Sequence, residues 1–343
     1  MKNSTRLTTF SALLLTLTLG FTACQKEQLQ QTAPQNVLLN EGAGDRNNGT
    51  IVDIAVSNPD FSTLVAAVLK TDLAGFLSAA NLNGTVFAPN NAAFAQLPSP
   101  FNDANAINSI SDPKTINTLR SIVKYHVLLG ERTAAQLTNG SYNTYKNAAT
   151  PNDNLLYVGR TISNDVYLNG TVKVIAADIQ ASNGVIHVIN KVLFFPTQDI
   201  LQIAAGNGNF TALVAAIKKT GLTGAVTLPV GNFTVFAPTD AAFAALPAPL
   251  NNAANIRSIT DQGTIDLLRN VLRYHLVGAR VFSVDLREGI TAPTVLAGNS
   301  VSISLVGGPK VKGTGNTAGS NIVLTDLLAR NGVIHVIDQV LLP

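Results

Sequence analysis

TVFAPNNAAFAQLP occupies residues 85–98, and TVFAPTDAAFAALP occupies residues 234–247. The two stretches differ at only three of their fourteen positions, and they lie 149 residues apart. Solenoid and propeller repeats recur every ~20–50 residues, so a displacement of this length indicates two copies of a whole domain. The chain length of 343 residues agrees, because it is that of about two average domains.

Each copy of this stretch predicts a strand that turns a sharp corner into a short helix. Residues 85–87 are β-branched and aromatic, and Pro89 cannot donate a hydrogen bond to a sheet, so the strand is expected to end there. A helix of two turns should follow and end at Pro98. The residues able to cap its exposed N-terminal amides are Asn90 and Asn91 in the first copy, and Thr239 and Asp240 in the second.

The sequence on either side of this stretch repeats as well. Residues 61–68 have an apolar pattern of helical period, which predicts an amphipathic helix packed on a core. A longer helix is expected after Asp112, a natural cap, and in both copies that helix ends in Tyr-His. Each copy closes on GVIHVI, at residues 184–189 and 332–337, which is apolar on both faces and therefore predicts a central, buried strand.

The N-terminus has the features of an export signal. Lys2 and Arg6 precede an apolar run at residues 13–20 that is too short to span a bilayer. The run leads to Cys24, the only cysteine, and Thr-Ala-Cys resembles the lipobox of bacterial lipoproteins, in which the cysteine is acylated. We therefore predict a signal peptide at residues 1–23 and lipidation of Cys24. The alternative is ordinary signal cleavage nearby, which would leave a free thiol.

The next segment predicts a flexible tether. It is rich in Gln, Asn and Gly and has no sustained apolar period, so we assign residues 24–46 to the tether. The domains are expected at residues 47–194 and 196–342. An acylated, palmitate-bearing anchor would place the protein outside the cytoplasm on a bacterial membrane, at the outer membrane or cell surface.

The composition is that of a globular chain without a nucleic-acid partner. Hydrophobic residues make up 46% of the chain, which argues against disorder even though only 13% of residues are charged. Removing the signal peptide with its two basic residues would leave a formal charge of +1. The remaining Lys and Arg residues are scattered and form no basic stripe of the kind that binds phosphates.

Three motifs recur in the same order in both copies. They are TVFAP followed by Asn91 or Asp240, the Tyr-His pair, and the closing strand with His187 or His335. In this order and spacing they resemble the fasciclin domain, and the resemblance covers about residues 47–342. It implies an α+β fold of two tandem fasciclin-like domains, each a twisted β-sandwich or wedge with several packed helices, in which these four residues belong to the structural motif.

The resemblance also implies adhesion rather than catalysis. Fasciclin-domain proteins include insect and vertebrate adhesion proteins, plant arabinogalactan proteins and bacterial lipoproteins. In the animal members the Tyr-His region is linked to receptor binding, which points to Tyr125, His126, Tyr274 and His275 as binding residues. The partner implied is an extracellular protein or a glycan, together with a membrane that is contacted through the lipid anchor.

Catalytic and metal-binding chemistry have little support in the sequence. The two histidines of each copy fall short of the three or four ligands that zinc takes, and structural histidines with hydrogen-bond partners are expected instead. The chain has no Gly-x-Ser-x-Gly nucleophile elbow. We therefore predict no catalytic residues, no metal and no cofactor. The alternative function is a carrier of a small apolar ligand, a carotenoid or a lipid, in a groove lined by residues such as Phe61 and Phe76.

Overall fold

The structure, a computed structural model, describes residues 49–149 and 151–343. The predicted signal peptide, the lipidation site Cys24 and the predicted tether lie outside the described residues. Within the described part, the two sequence copies fold alike, and each forms a mixed helix and strand domain.

The first domain begins with helices, alternates helix and strand, and ends in strands. Its elements are α1 (Ile51–Ser57), α2 (Ser62–Lys70), α3 (Ala74–Leu77), β1 (Gly84–Pro89), α4 (Asn91–Phe94), α5 (Ala104–Ser109), α6 (Pro113–Tyr125), β2 (Val127–Leu129), β3 (Gly140–Asn143), β4 (Leu155–Arg160), β5 (Val166–Leu168), β6 (Val172–Ala181) and β7 (Gly184–Ile189).

The second domain repeats this order. Its elements are α7 (Ile200–Ala205), α8 (Thr211–Lys219), α9 (Thr223–Val226), β8 (Phe233–Pro238), α10 (Asp240–Ala244), α11 (Ala253–Ser258), α12 (Gln262–Tyr274), β9 (Leu276–Val277), β10 (Thr291–Pro293), β11 (Ser300–Ser304), β12 (Lys310–Lys312), β13 (Ser320–Ala329) and β14 (Gly332–Ile337). Among the described helices, none is long and apolar enough alone to cross a membrane, and the bent pair Ile51–Ser57 with Pro59–Lys70 passes only on length and composition.

Each domain contains one seven-stranded sheet that is nearly closed. The strand order is β2-β1-β7-β6-β5-β4-β3 in the first domain and β10-β11-β12-β13-β14-β8-β9 in the second. An isolated bridge between Leu128 and Thr144, matched by Val277 and Thr294, joins the two edges of each sheet. The α+β class with two like-folded domains, predicted from the repeat, is confirmed.

The repeated motifs take the positions in the sheet that their sequence predicts. β1 ends at Pro89 and pairs in parallel with β7 along its whole length, and β6 covers the other edge of β7. All six residues of β7 are buried, as are all six of β14, so the prediction of a central closing strand is confirmed. Asp112 caps α6 through a hydrogen bond from the Thr115 N–H at 2.9 Å, also as predicted.

The helix after the first motif is shorter than expected. α4 has one turn, because the N–H of Leu97 bonds to the carbonyl of Phe94 at 2.9 Å and the chain leaves the helical path. The same bond joins Leu246 to Phe243 in the second domain. The prediction of two turns is therefore wrong. Phe94 and Phe243 are buried, whereas Leu97 and Leu246 are only partly buried.

Each domain has its own hydrophobic core in two parts. One part lies between the helices and the sheet and includes Phe61 in the first domain and Phe210 in the second. The other lies inside the curled sheet around Tyr125 and Tyr274. Because burial of apolar surface drives folding, each domain is stabilised mainly from within. A third, much smaller cluster is shared between the domains.

Candidate functional site

The Tyr of the Tyr-His pair anchors a strand on the far side of the sheet. The Tyr125 hydroxyl donates to the Leu155 carbonyl at 2.6 Å and accepts from Asn169 Nδ2 at 3.0 Å. Burial raises its pKa well above the ordinary value. In the second domain, the Tyr274 hydroxyl donates to the Ser300 carbonyl at 2.7 Å. Both rings are fully buried, so each hydroxyl binds a strand from inside the fold.

The His of the pair ends the long helix and holds the segment that follows the closing strand. Nδ1 of His126 donates to the Ile122 carbonyl at 2.8 Å, and Nε2 accepts from the Leu193 N–H at 2.9 Å. His275 makes the equivalent bonds in the second domain. These partners fix the neutral tautomer with the proton on Nδ1. Burial lowers the pKa of both rings to about 4.

The four residues that the resemblance marks for binding are therefore interior groups. Tyr125, His126, Tyr274 and His275 are all at most 4% exposed. Each makes hydrogen bonds within its own domain. Their role in binding stays a prediction. Because they are buried, they would support the binding surface and would not contact a partner directly.

The histidines of the closing strands fix a β-bulge. His187 Nε2 donates to the Arg132 carbonyl at 2.9 Å, and Nδ1 accepts from the Asp178 N–H at 3.2 Å. Asp178 has φ +62° at a register shift between β6 and β7, which is a conformation that needs such support. His335 and Asp326 repeat this arrangement. Burial lowers the pKa of both histidines.

Asn91 and Asp240 act on a helix that is distant in sequence. The cap of α4 is Asn90, whose side chain accepts from the Ala93 N–H at 2.9 Å. Asn91 instead accepts from the Thr63 N–H at 3.0 Å, at the N-terminus of α2. Asp240 accepts from the Ala212 N–H at 2.8 Å, at the N-terminus of α8.

The histidines of each domain do not form a metal site. In the part of the chain that the structure describes, no group of three or more His, Cys, Asp or Glu side chains is arranged to hold a metal ion. Each of the four rings uses both of its nitrogens in hydrogen bonds inside the fold. The arrangement is that of structural histidines.

A small apolar cavity lies under the first helices of each domain. It has a volume of about 50 Å³ beside His126 and about 20 Å³ beside His275. The two cavities differ at their rims. Val56 and Leu69 border the first and are both 62% exposed, whereas the residue equivalent to Leu69 is Lys218.

The two domains touch through an interface with an aromatic centre. Tyr157 on β4 packs against Phe282, with 5.8 Å between ring centroids, and the Arg280 guanidinium carbon lies 4.1 Å from the Tyr157 centroid. The backbone of Gly159 closely approaches Val284, because a Cβ atom on this glycine would lie only 2.6 Å from Val284 Cγ2.

Polar contacts surround this centre. Arg287 Nη2 of the second domain donates to the Arg160 carbonyl of the first at 2.9 Å. Asn139 Nδ2 donates to Asp285 Oδ1 at 3.3 Å. The apolar part is completed by Val333, with Tyr157 and Phe282 also buried. Apolar and polar contacts thus join the two domains.

A cleft of about 310 Å³ opens beside the aromatic centre. It is the largest of the three cavities described for residues 49–149 and 151–343. Its lining residues are Asn139, Gly140, Tyr157, Val158, Arg280, Val281, Phe282 and Asp285. The cleft therefore mixes aromatic, apolar and charged groups from both domains, as small-molecule sites do.

The family model of the fasciclin domain matches this chain twice, at residues 59–196 and 208–343. The chain belongs to the fasciclin domain family. Fasciclin domains are typically adhesion or binding modules of extracellular proteins.

Relatives of this fasciclin-domain protein occur in bacteria and animals. Protein sll1483 of Synechocystis sp. is 37% identical over 196 residues, which cover 57% of this chain and 99% of sll1483. Transforming growth factor-beta-induced protein ig-h3 of Sus scrofa is 30% identical over 264 residues, covering 76% of this chain and 34% of ig-h3. This chain thus spans about a third of the length of that animal relative.

A solved fasciclin domain pair from the insect cell adhesion molecule fasciclin I is also similar to this chain. It has 21% sequence identity and a TM-score of 0.38, and the match covers 84% of this chain and 98% of the insect pair.

The sequence analysis did not predict the residues of the interface between the two domains. It relied on residues that are identical in the two copies, whereas the interface is formed by residues that differ between them. Arg280, Phe282 and Asp285 stand where the first copy has Glu, Thr and Gln. The sequence feature that could have predicted this interface is the presence of large or charged residues at positions where the other copy has a different residue.

Proposed function

We propose that this fasciclin-domain protein is a non-catalytic binding or adhesion lipoprotein that recognises protein or glycan partners outside the cytoplasm. The family membership supports binding as the activity. The main structural support for the proposal is the interface around Tyr157, Phe282 and Arg280, where side chains of the two modules contact each other. Two binding modules that are held together raise the effective concentration of the second contact.

The anchor and the domain limits belong to this proposal. Acylated Cys24, a tether over residues 24–46 and domains at 47–194 and 196–342 would display the pair on a bacterial outer membrane or cell surface. A tether of about 20 residues reaches a few tens of Å by the ~5–6 Å × √n scaling of flexible chains. That reach allows the domains to meet a partner without pulling on the membrane.

We propose that the protein is not a catalyst because the hydrogen bonds and the burial of its histidines do not suit a general base. A general base needs a free nitrogen and a pKa near the working pH. His126 and His275 have both nitrogens bonded and a pKa of about 4, and they are buried. His187 and His335 are bonded in the same way inside their bulges.

Retention of coated beads tests the adhesion proposal. Beads carrying the fragment that starts at residue 47 are expected to stay on surfaces coated with matrix protein or polysaccharide from the producing cells. Beads carrying an unrelated protein of equal charge and mass serve as the control. Equal retention of both beads on every coating would contradict the proposal.

The apolar cavity beside His126 favours carriage of a small apolar ligand as the second candidate function. The cavity is larger than its counterpart, and its rim exposes Val56 and Leu69. Neither Phe61 nor Phe76 lines it.

At about 50 Å³ it holds only one or two water molecules at ~30 Å³ each, so a carotenoid or lipid would require α1 and α2 to separate. An absorption spectrum and solvent extract of protein purified from its own source test this function, and a colourless, lipid-free extract contradicts it.

A further inference from the structure

The cleft between the domains contains a tyrosine hydroxyl that the fold does not use. Tyr157 is 8% exposed, and its hydroxyl makes no hydrogen bond with any residue that the structure describes. The Tyr157 side chain is largely buried, but its hydroxyl oxygen stays accessible to solvent at the cleft, where a ligand can reach it. The hydroxyls of the two tyrosines in the Tyr-His pairs, in contrast, are bonded to backbone carbonyls inside the fold. Tyr157 therefore differs from them by offering both a donor and an acceptor at the cleft.

The neighbouring polar groups also keep unused hydrogen-bonding capacity. Asn139 uses one N–H on Asp285, which leaves its second N–H and its carbonyl oxygen without a partner among the described residues. Asp285 accepts from Asn139 at 3.3 Å and from the Phe282 N–H at 3.0 Å, so each carboxylate oxygen retains a lone pair. Donors and acceptors thus stand side by side in the cleft.

Arg280 forms the rigid wall of the cleft. It donates four hydrogen bonds within the second domain, to Asn232 Oδ1 and to the carbonyls of Ala329, Arg330 and Gly332. One N–H of the guanidinium remains. Arg280 also lies against the Tyr157 ring, with 4.1 Å between the guanidinium carbon and the ring centroid, and so restricts the tyrosine. Because both side chains are already ordered, a ligand that binds here loses little affinity to side-chain conformational entropy.

The charges in the cleft oppose an ionic ligand of either sign. Asp285 disfavours an anion and Arg280 disfavours a cation. Burial raises the pKa of the Asp285 carboxyl. The Tyr157 ring already contacts the Arg280 guanidinium and Phe282, and the residue is only 8% exposed, so little of the ring is free to stack on an aromatic ligand. A neutral ligand with several adjacent hydroxyls matches the remaining groups.

We propose that this cleft binds a neutral sugar ring of a glycan, through Tyr157, Asn139 and Asp285. The volume of about 310 Å³ equals about ten water molecules and lies at the lower end of the ~300–1,000 Å³ range of small-molecule sites. It has room for a hexose ring. This inference rests on the proposed binding function and names glycan as the partner class for one site, which both domains build together.

Titration of the full chain in detergent with free sugars tests the inference. Maltose, cellobiose and lactose are the neutral probes, and sodium glucuronate and glucosamine hydrochloride are their charged counterparts, all followed by saturation-transfer NMR. At least one neutral sugar is expected to bind saturably and more tightly than either charged sugar. Saturable binding by none of the neutral sugars, or tighter binding of a charged one, would overturn the proposal.

Three variants locate the site. Tyr157→Phe keeps the ring contacts with Phe282 and Arg280 and removes only the hydroxyl, so we expect about fivefold weaker binding with an unchanged melting temperature. Asn139→Ala should weaken binding by a similar factor. Tyr145→Phe is the matched control, because its ring stacks on Phe76 in the helical core of the first domain, and it should bind as the parent does. Equal binding by the parent and Tyr157→Phe would place the sugar elsewhere and contradict the proposal.

The bead experiment separates this inference from the proposed function. If coated beads are retained while no neutral sugar binds, the adhesion function stands and the sugar site is wrong. If sugars bind as predicted while beads are never retained, the adhesion function is wrong and the cleft remains a sugar site of another role.

Discussion

The Nε2 atom of His126 accepts a hydrogen bond from the backbone N–H of Leu193 at 2.9 Å. The bond joins the end of the longest helix of the first domain to the segment that leaves the closing strand. His275 and Leu341 make the same bond at 2.9 Å in the second domain. It exists only while Nε2 carries no proton, so the fold of both domains is linked to pH through this atom.

We expect the free energy of unfolding to fall as the pH is lowered from about 6.5 towards 4. Burial lowers the pKa of His126 and His275 from 6.5 to about 4, and it also lowers the pKa of His187 and His335. In this window the unfolded chain binds more protons than the folded chain. Each histidine thus removes up to about 1.4 kcal/mol per pH unit, and the stability is fully present above 6.5.

Urea unfolding at several pH values between 7.5 and 4.5 measures this slope. Asp285 has the opposite effect on the free energy of unfolding, because burial raises its pKa, but it is one group against four histidines. The carboxylates Asp53, Asp112 and Asp261, whose hydrogen bonds to threonine lower their pKa, act below 3.8 and so outside the window. His126→Gln should flatten the slope for the first domain. A stability that stays constant from pH 6.5 to 4.5 would contradict the assignment of neutral histidines.

Asn91→Asp is expected to destabilise the first domain by about 1–2 kcal/mol. Asn91 Nδ2 donates to the Pro59 carbonyl at 2.9 Å and to Ser62 Oγ at 3.0 Å, and a carboxylate would face that carbonyl with no proton to donate. In the second domain, the N–H and the hydroxyl of Thr211 donate to the Asp240 carboxylate at this position. Chemical denaturation measures the change. Asn105→Asp, at an exposed site in the first turn of α5, is the control and should cost far less.

Gly159→Ala is expected to loosen the contact between the domains. The added methyl group would meet Val284 Cγ2 at 2.6 Å, so Val284 or β4 must shift where β4 contacts the 3-10 turn at Ser283–Asp285. Small-angle X-ray scattering should then show a larger radius of gyration with each domain still folded. Gly224→Ala introduces the same change where nothing lies within 4 Å and should scatter as the parent does. Identical scattering from both variants would mean that the interface does not hold the pair together.

Cys24→Ser is expected to abolish acylation and release the protein from the membrane. Serine has no thiol with which to form the thioether to lipid that a lipobox cysteine carries. Metabolic labelling with a palmitate analogue, followed by membrane fractionation, measures both effects. If the serine variant kept the label, the lipoprotein assignment would fail.

The sequence predicted those parts of the fold that both copies need for the same physical reason. β1 and β7 were predictable because a buried parallel strand must be apolar on both faces, and Asp112 was predictable because a helix N-terminus needs an acceptor. The bulge at Asp178 was not, since its support comes from His187 across the sheet. The same limit applies to Asn91, whose partner Thr63 lies 28 residues away.

The candidate site was the least predictable part. The cleft needs Tyr157 from one copy and Arg280 from the other, and their contact depends on how two separately folded domains dock. No local pattern in either segment indicates that geometry. The Tyr-His pairs, in contrast, are repeated in the sequence, and in both domains of this chain they make buried hydrogen bonds.

Retention of living cells under flow tests the central claim most directly. Cells that display the intact chain are compared with otherwise identical cells from which the gene is deleted, on surfaces coated with their own matrix. We predict that the displaying cells resist detachment and that the deletion strain loses this resistance. Equal detachment of the two strains on all coatings would contradict the claim that this fasciclin pair is an adhesion module.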